Sequence, residues 1–214
     1  MKKIRFLIAA AALLMVLALT TVGIQYTMTT PDLHGFDPEK MSSLESSMWR
    51  SYYEGRYVRL GWQTMKATCG QYRFSWWDGA RISLHAARAA RYFRANADDP
   101  RCVPALVKYY TIIQRSLGRE FDVQEAARLE LQWWRERRLN LSAADYGKTI
   151  ARLTALTYGV PEDSVLPTAV MRAEAMAYRD ARRGGKMTGS DWDEVTRQLT
   201  LAYVSLKTSV ADGL

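Results

Sequence analysis

Between Asp37 and Val210 apolar residues return every three or four positions, and most glycines and prolines fall between the periodic stretches. That pattern belongs to amphipathic helices, not to turn-rich strands. It predicts an all-α fold, an N-terminal transmembrane helix followed by a single globular bundle of about six to seven helices. Asp37-Pro38 offers an N-cap and a first-turn proline, and the periodicity then runs on to Cys69, with Gly70 to stop one long first helix. Ser75 caps a second helix from Trp76 to about Ala95, and a third runs from Cys102 to Leu117, where Gly118 breaks it. Asp122-Val-Gln-Glu125 and Ser142-Ala-Ala-Asp145 open a fourth helix, to about Arg138, and a fifth, closed by Gly159-Val-Pro161. A sixth spans about Glu162 to Arg183, and a seventh Ser190 to about Val210.

The segment before these helices sets the expected compartment. Lys2, Lys3 and Arg5 precede a run, Phe6 to Ile24, that holds no charged residue. Its 19 residues give about 28 Å as a helix, close to the thickness of a bilayer's hydrocarbon core. A cleavable signal has a shorter apolar core and an Ala-x-Ala end, so the reading favours a retained anchor. Residues 1–27 are then membrane anchor or uncleaved signal, 28–37 an extended and poorly fixed linker, and 38–214 the helical domain. Positive charge stays on the cytoplasmic side, which puts the helical domain in the periplasm or outside the cell.

The formal charge is +8, but past the first three cations the chain carries 27 basic and 22 acidic residues, or +5. That excess is scattered, which suits a solvated surface or anionic lipid headgroups and gives no nucleic-acid stripe. The sequence lacks zinc, di-iron, covalent haem, phosphate-loop, dinucleotide and nucleophile-elbow signatures. No catalytic residue, cofactor or metal is therefore assigned, and a non-enzyme is the favoured reading. Paired carboxylates leave little trace in sequence, and Glu45, Glu54, Glu130 and Glu174 are the acids to test for such a role.

The stretch 46–60, SSMWRSYYEGRYVRL, concentrates aromatic and basic side chains. Met41, Leu44, Met48, Ser51, Gly55, Val58, Trp62, Met65 and Cys69 form one seam on the expected first helix, shallow at Ser51 and Gly55. Trp49, Tyr52, Tyr53 and Arg56 lie alongside, and Glu174 falls among small residues of the sixth helix, with Arg56 or Arg88 as its expected partner. These five residues, Trp49, Tyr52, Tyr53, Arg56 and Glu174, form the candidate binding or structural polar cluster. Helix packing is the first explanation for it; an aromatic pocket for an anionic amphiphile is the functional one. The adjacent pairs Trp133-Trp134 and Trp76-Trp77 each place one ring inward and one at a rim or headgroup level.

Outside the cytoplasm Cys69 and Cys102 would be expected to pair, but they flank opposite ends of the second helix, so two buried free thiols are predicted. The leading functional expectation is a membrane-anchored interaction or accessory subunit of an envelope assembly. Its partners are the membrane, through residues 6–24, and another envelope protein. The alternatives are a carrier or sensor for an amphipathic small molecule such as a lipid or pigment, and an envelope glycan hydrolase. An interaction protein needs an exposed apolar patch, a carrier a cavity beside Ser51 and Gly55, and a hydrolase an open acidic cleft.

Overall fold

The computed structural model describes residues 10–17, 20, 30–182 and 187–211. Its helical domain comprises α1 (Pro38–Tyr53), α2 (Tyr57–Met65), α3 (Trp76–Ala95), α4 (Cys102–Leu117), α5 (Val123–Arg138), α6 (Ala143–Tyr158), α7 (Glu162–Ala181) and α8 (Gly189–Ala211). A π-helical stretch, Lys66–Gln71, continues α2 toward α3. No strand occurs among the described residues, as an all-α chain requires. The expected membrane-spanning run is described only at residues 10–17 and 20, which are helical; its remainder lies outside the described residues. Among the described residues no helix is long and apolar enough to cross a membrane.

Local chemistry accounts for the helix starts. Asp37 Oδ1 accepts from the backbone N–H of Glu39 and Lys40, and Asp122 Oδ1 from those of Gln124 and Glu125. Ser75 and Ser142 cap α3 and α6 through the N–H groups of Asp78 and Asp145. Each side-chain oxygen satisfies donors that the first helical turn leaves unpaired.

The expected long first helix is instead two helices. Arg56 N donates to Ser51 O at 2.8 Å and Gly55 N to Tyr52 O at 3.3 Å, with Gly55 at φ 72°. These bonds make a Schellman turn, which outcompetes continued helix because glycine enters the left-handed region without steric cost. The restart changes the direction of the stripe. Met41 and Ser51 are buried, but Val58 is 92% exposed and Trp62 60% exposed. The seam predicted to run unbroken from Met41 to Cys69 therefore stops at the turn.

Each helix packs chiefly on its neighbours in the chain, and α8 returns to pack on α1. The circuit of eight helices is closed, so inward side chains from all around it converge on one centre. Helices α1 and α8 are joined by a hydrogen bond between Ser42 Oγ and Thr200 Oγ1 (2.7 Å) and by Thr196 Oγ1 donating to Ser46 Oγ (2.9 Å). Gly147 lets α6 approach α7, since a Cβ there would lie 3.0 Å from Val170 Cγ2.

The segment expected as a loose linker is fixed from Pro31 onward. Asp32 N donates to Tyr72 O at 2.9 Å and Asp37 N to Gln71 Oε1 at 3.0 Å. Lys207 Nζ donates to the carbonyls of His34 and Phe36, and Phe36 itself is fully buried. Burial of Leu33 and Phe36 offsets the ordering that a polar linker could not sustain. Cys102 is buried, Cys69 is partly exposed, and both are free thiols.

The turn at Gly55 is open to direct test. Gly55→Ala is expected to lower unfolding free energy by roughly 1–2 kcal/mol, because alanine must sit in the left-handed region. In a continuous helix the same change would stabilise by up to about 1 kcal/mol, so the sign of the shift in denaturant midpoint decides between the two.

Candidate functional site

On α7 the residues Val165, Ala169, Ala173 and Met176 are buried, and the same inward stripe carries Arg172 and Arg179. On α1 the inward face carries Met41, Ser42, Glu45 and Ser46. Closing the helical circuit brings these two faces together. Arg172 donates to Glu45 Oε1 through Nε (3.0 Å) and Nη2 (2.5 Å), and Tyr203 of α8 donates its hydroxyl to Glu45 Oε2 at 2.6 Å. A carboxylate buried this deeply needs such partners, because its lone pairs have lost water.

A second carboxylate lies within electrostatic reach of Arg172. Glu130 of α5 accepts from the Tyr110 hydroxyl (2.7 Å) and from Trp134 Nε1 (2.9 Å). Burial raises its pKa, against the opposing pull of Tyr110 and Arg172. Burial also works against the charge of Arg172, but Glu45, Tyr203 and Glu130 more than reverse that effect and hold its pKa above the ordinary value. Tyr72, Tyr109, Tyr110 and Tyr158 complete the surround, and desolvation pushes each phenol up.

These groups are deep without being sealed. Arg172 retains 30% of its side-chain accessible surface, and Glu130, Tyr72, Tyr109 and Tyr158 are only partly buried. Arg172 Nη1 makes no hydrogen bond to the described residues, and the guanidinium lies 6.0 Å from the centroid of the Trp133 ring. The centre thus combines aromatic side chains, phenols and a guanidinium with one nitrogen that makes no hydrogen bond to the described residues.

Comparison with protein-family models, curated proteins and solved structures finds no match.

The five-residue candidate cluster is not one site. Trp49 packs against the core, while Tyr52 and Tyr53 stack edge to face at 5.2 Å. Tyr53 accepts from Arg137 Nη2 at 2.9 Å and lies under the Arg179 guanidinium, 3.0 Å from the ring centroid. Arg137 also binds Asp180 through both carboxylate oxygens, so this is a separate inter-helix network. Arg56 projects from the turn and pairs with Glu54 at 3.1 Å, away from Tyr52 and Tyr53. Glu174 is solvent-exposed, which removes its expected pairing with Arg56 or Arg88. The buried acid–arginine link is made by Arg172, two residues earlier, because α7 buries the 165–169–172–176–179 stripe.

Of the acids singled out from sequence, Glu45 and Glu130 reach the centre, while Glu54 and Glu174 are exposed. Sequence reasoning missed Arg172, Tyr72, Tyr109, Tyr110, Tyr158 and Tyr203. For Arg172 a signal existed in the spacing of its stripe; the tyrosines only become neighbours once the circuit closes. Trp133 is buried and Trp134 half-buried as expected of an adjacent pair, but Trp76 and Trp77 are both about half exposed.

Two substitutions separate the roles of the carboxylates. Glu45→Gln removes the ion-pair partner of Arg172 and is expected to cost about 3 kcal/mol in denaturant unfolding. Glu130 behaves oppositely. Its folded pKa lies above the unfolded value of 4.5, so its contribution is full below about pH 4.5 and is lost as pH rises through the folded value. Glu130→Gln is expected to remove that decline, making stability less pH-dependent than in the parent; an unchanged profile would refute the assignment.

Proposed function

We propose that the protein is a membrane-anchored, extracytoplasmic helical domain that holds a small anionic amphiphile in the recess around Arg172. The carrying observation is the unengaged Nη1 edge of a guanidinium that is desolvated yet 30% accessible. Charge-assisted hydrogen bonds gain strength where water is scarce, and an arginine edge beside phenolic donors suits a carboxylate or phosphate head. The rings of Tyr72, Tyr109 and Tyr158 offer apolar contact to the remainder of such a molecule. The anchor rests on the uncharged run Phe6 to Ile24, and the orientation on Lys2, Lys3 and Arg5 before it. This is the carrier reading with Arg172 in the place assigned to Arg56.

A second reading, an interaction subunit of an envelope assembly, draws support from one feature outside the recess. Tyr57, Val58, Trp62, Trp76 and Trp77 expose a broad apolar face, more than isolated surface residues require.

Laurate, with methyl laurate as the uncharged control, tests the first reading. Binding to the full chain in mild detergent is expected to change the fluorescence of Trp133 and Trp134 for laurate and not for the ester. Arg172→Lys keeps a cation beside Glu45 but loses the planar fork, and is expected to weaken laurate about tenfold, the equivalent of one charge-assisted bond. Equal affinity in parent and variant, with far-ultraviolet circular dichroism unchanged, would reject the recess as the binding site.

A further inference from the structure

The exposed face on α2 and the start of α3 has a definite position relative to the leader. Pro31 lies beside Ser75 and Asp78 at the N-terminus of α3, and Asp32 is bonded to Tyr72. Only six residues separate Pro31 from Ile24, where the uncharged run ends, a reach of at most about 25 Å. A leader held in a bilayer therefore keeps this end of the domain within about 25 Å of the membrane. The side chains there are unusual for a face in water: Trp62, Trp76 and Trp77 are between 49% and 60% exposed.

Between α1, α2 and α3 lies a groove of about 700 Å³ walled by Leu44, Trp62, Met65, Cys69 and Trp76. Lys40, paired with Asp37 at 3.3 Å, Lys66 and Glu39 also line it, and the exposed cations Arg59, Arg73 and Arg81 lie on the same segments. Tryptophan and tyrosine favour the level of lipid headgroups, where the ring meets acyl chain and the N–H or O–H meets water, and cations beside them meet phosphate.

We propose that this face rests on the bilayer, with the groove taking the acyl chain of an anionic phospholipid and Lys40 and Lys66 meeting its phosphate. The proposal rests on the anchored reading above and is independent of the Arg172 recess.

The test uses the full chain reconstituted in vesicles of phosphatidylcholine and phosphatidylglycerol, in a Cys69→Ser background, with bimane attached at Trp77→Cys. A control carries bimane at Arg152→Cys on α6, on the far side of the helical circuit. Phospholipids brominated along the acyl chain are expected to quench the probe at position 77 strongly and leave that at position 152 unaffected. Replacing Trp62 and Trp76 together by Glu is expected to abolish the quenching at 77 while the chain stays in the carbonate-washed membrane pellet. Equal quenching at 77 and 152 overturns the docking and leaves the anchor standing. A photo-cross-linker at position 77 that captures protein instead of lipid overturns it in favour of a partner. Release of the full chain by carbonate overturns the anchored reading, and the docking with it.

Discussion

The carboxylate of Glu45, taken out of water, has to be answered within hydrogen-bonding distance, and the rest of the domain is arranged so that it is. Its partners arrive from α7 and α8, more than 120 residues later in the chain. The pair is therefore complete only when α8 has returned to α1. Apolar packing alone would tolerate sliding of the helices past one another, whereas Arg172 and Tyr203 accept one register. Ser42–Thr200 and Ser46–Thr196 support that register because their small side chains bring the two backbones close. A buried ion pair adds little net stability compared with well-packed hydrocarbon; what it adds here is a penalty for every arrangement in which Glu45 lacks its partners.

Closure of the circuit also brings polar groups from α1, α4, α5, α7 and α8 to one place within a core that is otherwise built of Leu, Ile, Val and Ala. A phenol reaches farther than leucine and ends in a hydrogen-bonding group, so Tyr110 and Tyr203 can pack and still answer a carboxylate. The two carboxylates share Arg172 as neighbour yet differ in state. Glu45 receives the guanidinium directly, while Glu130 receives a phenol and an indole and is left with a raised pKa.

The helices were largely legible in the sequence because their ends are written in local chemistry. Asp122, Ser142, Gly118 and Gly159 act within four residues of themselves, and α4, α5 and α6 fall where those residues place them. Gly55 carries the same kind of information, but periodicity on both sides of it hides the turn. Glu174 differs for another reason. Val170, Ala173 and Ala177 suggest an inward face of small residues, whereas the inward face carries Arg172, a residue that composition alone assigns to solvent. Long side chains break the equation of charge with exposure, because their stems pack while their heads find a partner. The tyrosine surround had no local signature at all: Tyr72, Tyr110, Tyr158 and Tyr203 are separated by whole helices.

The same turn gives the domain its second surface. The stripe after Gly55 does not continue the buried face of α1, and Val58 and Trp62 stand exposed on α2. Keeping an indole and an isopropyl group in water is unfavourable by roughly 25 cal/mol for each Å² of apolar surface left uncovered. The break in the first helix and the exposure of the stripe that follows it thus come from one placement of glycine.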